Sequence, residues 1–262
     1  MKEITTRAIS GSLYVALLTT TMFTAPLAFY ILIAVFAGLA LWEFQRLIDF
    51  NNVVGPLLLI GMYALAFFEL YPALILDLLL YTALLVNVLI TFICLSNRQP
   101  SFSSLSKIGL ILFYLIGSSL FIPLLIRLNK GEAPLNLLFF YVAIWLNNSF
   151  AYLVGSRIGK TKLLPSISPK KSWEGYIGGA LATLLLLFIV EHYLSLFNGM
   201  WWVVGLLLPA LATLGDFVQS YFKRRANVKD SGTLLPGHGG FYDRMDSVIY
   251  TAPFYYLLLK FI

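Results

Sequence analysis

Long, nearly uncharged apolar runs leave this chain few structures to choose from. They cover 8–24, 26–47, 53–68, 73–95, 108–128, 134–155, 175–197, 200–222 and 247–262. Most approach the roughly 20 residues that one helical crossing of a bilayer needs. In hydrocarbon the backbone must satisfy its own N–H and C=O groups, which only helices and closed barrels achieve. The runs lack the apolar–polar alternation of barrel strands. The expectation is an all-α, polytopic integral membrane protein of about nine transmembrane helices. Pro26, Pro56, Pro72, Pro100 and Pro134 fall near the breaks, as helix punctuation should. Only Ala25 and Pro26 part the first two runs, and the third is short enough to be re-entrant. The 262 residues read as one domain, 1–262: a first group of helices over 1–130, and a second half, 131–262, that carries the polar loops.

Composition agrees. The chain is 60% hydrophobic and 11% charged, against roughly 45–50% and about 25% for a soluble domain. The net charge of +6 does not signal nucleic acid, because the bases flank apolar runs, where Lys and Arg orient helices. On a nine-span layout Arg127, Lys130 and Lys260 fall on one side and the other fifteen of the 18 Lys and Arg on the opposite side. That bias places the N-terminus and the basic loops 156–174 and 223–246 in the cytoplasm, with the C-terminus outside. Lys2 and Arg7 before an apolar run resemble a signal peptide, but many runs follow and no small-residue cleavage site is evident, so this is read as the first span. Cys94 is the only cysteine, so no disulfide within the chain can form; it reads as a buried free thiol.

Against this background, the polar residues between Asp216 and Asp246 stand out. Asp216, Ser220, Lys223 and Arg224 lie at i, i+4, i+7 and i+8, one face of a helix. Asp243 and Asp246, at i and i+3, share a face at the mouth of the last run. If those helices pack, three carboxylates converge. A membrane-embedded Asp costs about 2.5–3.5 kcal/mol on translocon scales, and converging carboxylates repel unless a cation sits among them. Oxygen-only ligands favour Mg²⁺, Mn²⁺ or Ca²⁺ over zinc, and neighbouring Lys and Arg suit phosphate oxygens. The plainer alternative is that Asp243–Arg244 and Asp216–Lys223 are interfacial ion pairs anchoring helix ends. The glycines within 232–240 either let backbone amides approach a phosphate or serve turns with positive φ. His238 is a candidate phosphate ligand or acid.

A second polar loop reads S-I-S-P-K-K-S-W-E-G, Ser166 to Gly175. Ser168, Lys170, Lys171 and Ser172 can hold phosphates. Ser172 can also cap the next helix, and Glu174 in its first turn suits the helix dipole. Gly155 to Thr161, G-S-R-I-G-K-T, is one spacer short of a phosphate-binding P-loop and follows an apolar helix where a strand belongs, so it is set aside.

The run S-x-x-K-R-x-x-x-x-K-D-S-G-x-x-x-P-G-H-G-G-x-x-D-R-x-D, Ser220 to Asp246, resembles the signature of the phosphatidate cytidylyltransferases (CDP-diacylglycerol synthases). Ser168 to Gly175 is similar to that family's S-P-K-K-T-W-E-G block, and Ala151-Tyr152, Gly155 and Gly159-Lys160 to its approach. Leu41-Trp42-Glu43-Phe44 resembles a weaker N-terminal feature. The resemblance implies Mg²⁺-dependent transfer of a cytidylyl group from CTP to phosphatidate in the bilayer, in phospholipid biosynthesis. It also implies a monovalent cation such as K⁺ beside the divalent one, a homodimer and a bacterial inner-membrane location. Asp216 and Asp243 match the metal-binding carboxylates. Ser220, Lys223, Arg224, Lys229, Asp230, His238, Arg244 and Asp246 match other signature positions. Two positions depart: Asn148 stands where the family usually has Asp, and Ser172 where it has Thr. Three alternatives stay open at this level: a CTP-dependent lipid kinase, an ion transporter with buried carboxylates, and an inactive divergent homologue suggested by Asn148.

Overall fold

A computed structural model describes residues 2–96, 98–128, 133–234 and 239–261. Among these, nine helices follow in order, counting Ser104–Arg127 as one: α1 Lys2–Thr24, α2 Pro26–Leu47, α3 Val54–Phe67, α4 Ala73–Leu95, α5 Ser104–Arg127, α6 Ala133–Ile158, α7 Trp173–Leu194, α8 Trp201–Arg225 and α9 Tyr242–Leu259. Six of them (α2, α4–α8) contain stretches long and apolar enough to cross a membrane by length and composition. The apolar part of α1, Ile9–Thr24, and α3 are shorter. The start of α9 carries Asp243, Arg244 and Asp246.

The boundaries follow from local chemistry. Pro26 occupies the first turn of α2 and Ala25 before it is extended, at φ −151° and ψ 93°. Proline fits the first helical turn but pushes the preceding residue out of the helical region, so one residue suffices to separate α1 from α2. Ser103 caps α5, its hydroxyl accepting from Ser106 N at 3.2 Å. Ser172 caps α7, accepting from Gly175 N at 3.2 Å, as the sequence suggested.

The most enclosed of the six apolar helices is α5, with 78% of its apolar stretch buried. Its middle, Leu110–Gly117, is π-helical. Such a widened turn presents side chains that a regular helix would rotate away. Just beyond it, Ser118 Oγ accepts from Asn87 Nδ2 at 3.2 Å, and the same amide reaches the Tyr250 carbonyl at 3.3 Å. Tyr114 and Tyr242 share a hydroxyl contact of 2.6 Å, and Thr91 and Tyr250 another of 2.6 Å. These bonds tie α4 and α5 to α9. Between helices in an apolar medium each contributes about 0.6 kcal/mol, so their value is in fixing the rotation of α9 more than in bulk stability. Cys94 is buried and its thiol donates to the Phe217 carbonyl at 3.5 Å, as expected of a structural thiol.

Small residues draw α6 and α7 together. A Cβ on Gly175 would lie 2.6 Å from the Ala151 carbonyl oxygen, and one on Gly179 would lie 2.6 Å from the Asn147 carbonyl oxygen. This small-xxx-small spacing lets helix backbones touch, and it fixes the segment between the two helices.

That segment differs from expectation. In place of an irregular loop over 156–174, β1 (Lys162–Leu164) and β2 (Ser168–Ser172) form an antiparallel hairpin, with Lys162 opposite Ser172 and Leu164 opposite Ser168. Glu174 anchors its start, accepting from Lys160 N at 3.1 Å and Thr161 N at 3.0 Å. The P-loop look-alike therefore has its Lys160 and Thr161 amides taken by a carboxylate of the chain itself.

Candidate active site

The close packing of α8 on α9 brings the acids together. Ser247 Oγ donates to the Ala212 carbonyl at 3.0 Å. A Cβ on Gly215 would meet Tyr250 Cβ at 2.7 Å and Ser247 Cα at 3.1 Å. With the helices this near, the Asp216 and Asp246 side chains face the same cavity. From the hairpin, Lys171 reaches over to form an ion pair with Asp216, the two side chains 28% and 26% exposed. Its ammonium also lies 5.1 Å from the centre of the Phe217 ring.

These groups open onto a cavity of about 610 Å³ whose walls include Lys162, Lys170, Lys171, Ser172, Asp216, Asp243 and Asp246. A second cavity, of about 350 Å³, lies between α1, α6 and α9 and is lined by Tyr14, Val15, Ile144, Trp145 and Arg244 among others. The two share Asn148, Asp243, Asp246 and Ser247 as a common wall.

Asp243 faces both cavities yet is heavily engaged. Its Oδ1 accepts from Lys223 Nζ at 2.7 Å and Gln219 Nε2 at 2.9 Å. Its Oδ2 accepts from Ser231 N at 2.8 Å, Ser231 Oγ at 3.0 Å and Gly240 N at 2.9 Å. The side chain is 7% exposed and that of Lys223 11%. The expected convergence of three carboxylates is therefore corrected: among the described residues no group of three or more acids, histidines or cysteines is placed to hold one ion. Asp216 turns to Lys171, while Asp243 turns to Lys223. The proposed interfacial pairs are re-partnered too. Asp216 takes Lys171 in place of Lys223, and Asp243 takes Lys223 in place of Arg244.

The remaining candidates divide. Lys170 and Ser172 line the larger cavity and Arg244 the smaller. Ser168 only opens β2, opposite Leu164. Ser220 is 7% exposed and lines neither cavity; one residue earlier, Gln219 is the side chain that reaches Asp243. Arg224 turns outward to the Val228 carbonyl at 3.1 Å, closing the end of α8. Lys229 and Asp230 are exposed and line neither cavity. His238 lies outside the described residues.

Two side chains carry geometry that the sequence did not assign. Ser231 contacts both carboxylates of its neighbourhood, and Glu43 of α2 is fully buried beside it. Glu43 Oε1 accepts from Phe241 N at 3.0 Å; Oε2 accepts from Tyr242 N at 2.9 Å and Ser231 Oγ at 2.7 Å. Leu41-Trp42-Glu43-Phe44 was visible as a fragment of resemblance, but an acid in an apolar run was itself the signal, since such groups are retained for a reason. A Cβ on Gly232 would fall 2.4 Å from Glu43 Oε1, and one on Gly240 2.1 Å from Oε2. These glycines allow close approach, but the anions approached are the chain's own carboxylates.

Fold and site together define a helical protein with several membrane-length apolar helices and a cavity lined by lysines and carboxylates. The chain belongs to the cytidylyltransferase family, which it matches over residues 5–262. It is 35% identical to the phosphatidate cytidylyltransferase of Bacillus subtilis, an alignment covering 99% of this chain and 98% of that protein. It is 40% identical over 133 residues to the phosphatidate cytidylyltransferases of Staphylococcus epidermidis and Staphylococcus aureus, covering 50% of this chain and 51% of each of those proteins.

Proposed function

We propose that this chain transfers the cytidylyl group of CTP to phosphatidate, giving CDP-diacylglycerol and pyrophosphate. The observation that carries the reading is the Lys171–Asp216 ion pair, which joins the two polar sequence blocks across one cavity. Family membership and the whole-chain similarity to a phosphatidate cytidylyltransferase support it.

In this reading a phosphatidate oxygen attacks the α-phosphorus of CTP. The new O–P bond forms as the bond from the α-phosphorus to the bridging oxygen breaks, and pyrophosphate leaves with that oxygen. The phosphate monoester is already anionic near neutral pH, with a second pKa of about 6 for comparable phosphate esters, so no strong base is needed. Positioning and charge neutralisation then dominate. Lys170 and Lys171 hold triphosphate oxygens at the larger cavity. Lys223 stays on Asp243 and keeps that carboxylate turned to the shared wall.

The donor set suits a hard divalent cation. Asp216 and Asp246 line one open cavity, and carboxylates brought close together repel unless a proton or a cation lies between them. Asp216 and Asp243, which both line the larger cavity, would hold Mg²⁺, and K⁺ is the monovalent candidate. When bound, Mg²⁺ neutralises charge on the α-phosphate and the departing pyrophosphate. Phosphatidate reaches the wall from the smaller cavity, whose Tyr14, Ile144 and Trp145 suit acyl chains and whose Arg244 suits a phosphate. All nine helices cross or enter the membrane, with the lysine-lined cavity on the cytoplasmic side of a bacterial inner membrane, where most Lys and Arg fall.

The test is purified protein in detergent with CTP, phosphatidate and Mg²⁺. Pyrophosphate release that requires all three supports the reading. Release of CDP would indicate a lipid kinase, and no turnover of either kind would overturn it.

A further inference from the structure

We propose that Glu43 is a positioning residue for Asp243, acting through Ser231 and the first turn of α9; the functional part of this inference rests on the reading above. Glu43 is 0% exposed and lines neither cavity, so it touches no substrate. Three donors bind its oxygens: Phe241 N, Tyr242 N and Ser231 Oγ. The same short segment supplies Ser231 N, Ser231 Oγ and Gly240 N to Asp243 Oδ2. Two carboxylates from distant parts of the chain thus share one set of donors. Ser231 has a single hydroxyl proton and sits between Glu43 Oε2 at 2.7 Å and Asp243 Oδ2 at 3.0 Å.

This arrangement goes beyond a helix cap. A buried carboxylate costs several kcal/mol unless fully hydrogen-bonded, and here it comes from α2 instead of from the residue preceding α9. The amides of Phe241 and Tyr242 belong to the start of α9, where the dipole favours an anion. Fixing those two amides fixes the rotation of the helix that carries Asp243, and fixing Ser231 sets the donor that meets Asp243 Oδ2. Gly232 and Gly240 lack the Cβ that would displace Glu43.

The test is Glu43→Gln in the full-length protein, followed by amide hydrogen exchange at single-residue resolution and by the Mg²⁺ dependence of pyrophosphate release. The expected result is at least tenfold faster exchange at Ser231 and Gly240, whose amides bind Asp243 and not Glu43. Half-saturating Mg²⁺ rises at least fivefold, a quantity that a smaller folded fraction cannot move, while KM for CTP stays within twofold. Acceleration confined to Phe241 and Tyr242, with half-saturating Mg²⁺ unchanged, makes Glu43 a local cap only and overturns the proposal. If Glu43→Gln does not fold, Gly232→Ala displaces Glu43 while keeping every hydrogen-bonding group; the same shifts support the proposal and their absence overturns it. If the unaltered chain lacks cytidylyl transfer, the functional reading fails separately and exchange at Ser231 and Gly240 alone decides the positioning role.

Discussion

Lys171 of the β2 strand forms an ion pair with Asp216 in the middle of α8, and Phe217 lies beneath the same ammonium. A surface hairpin is thereby anchored to a carboxylate inside a membrane-length helix. The pair is about a quarter exposed, so its contribution to stability is about 1 kcal/mol or less. Its consequence for function is larger, because the same Lys171 faces the cavity. Lys171→Gln should lower kcat/KM for CTP about 100-fold, the size of losing one charged contact to a reacting phosphate, while the thermal midpoint in detergent changes little. Steady-state kinetics beside a melting curve checks both halves.

Asp243→Asn should be the more damaging carboxylate substitution. The new amide keeps one acceptor oxygen but turns its NH₂ either on Lys223 and Gln219 or on Ser231 and Gly240, which already donate to the two Asp243 oxygens. Breaking a largely buried pair by neutralising one member costs about 3–5 kcal/mol. Asp216→Asn removes one partner of a pair about a quarter exposed and should melt closer to the unaltered protein. Both should lose pyrophosphate release. Differential scanning fluorimetry of the two variants, side by side, gives the order.

Removing divalent cations should abolish activity, and Mg²⁺ or Mn²⁺ should restore it better than Zn²⁺, given oxygen ligands alone. Asp246→Asn should raise the half-saturating Mg²⁺ at least tenfold, since Asp246 lines the same cavity as Asp216. A chelator titration followed by metal add-back measures it.

The two cavities predict separable substrate effects. Trp145→Ala, in the smaller one, should raise KM for phosphatidate severalfold and leave KM for CTP unchanged. Kinetics with phosphatidate varied in mixed micelles at fixed CTP, and the reverse, separates them.

Gly179→Leu should separate α6 from α7, because even a Cβ there meets Asn147 at 2.5 Å and 2.6 Å. Overpacking of this kind costs about 1–3 kcal/mol. The hairpin between those helices should loosen with them, and protease sensitivity within 159–172 reports it.

Most of the helical layout was legible in the sequence. Pro26–Leu47 and Ala73–Leu95 match the apolar runs residue for residue, since proline and turn residues end helices by local sterics. The first turns of α1, α5 and α9 extend beyond their apolar runs, because polar residues continue a helix wherever they meet partners or solvent. The hairpin was not legible: K-L-L and S-P-K-K-S carry no alternating apolar pattern, and their order comes from Glu174 and from α6–α7 contact. The site was legible as a set of residues but not as a set of pairs. Which lysine meets which aspartate depends on helix rotation, set by Tyr114, Tyr242 and Asn87 far from the motif. Glu43 belongs to the same class, since its partners lie across the fold on α9 and the segment before it.

The central claim is that the α-phosphate of CTP passes to a lipid phosphate at the Asp216 cavity. The most direct measurement is to supply CTP labelled either at the α- or at the γ-phosphate with phosphatidate and Mg²⁺, and to separate the lipid products. The account predicts lipid-borne label from the α-position only, with one pyrophosphate released per label incorporated. Label entering lipid from the γ-position, or from neither, would contradict it.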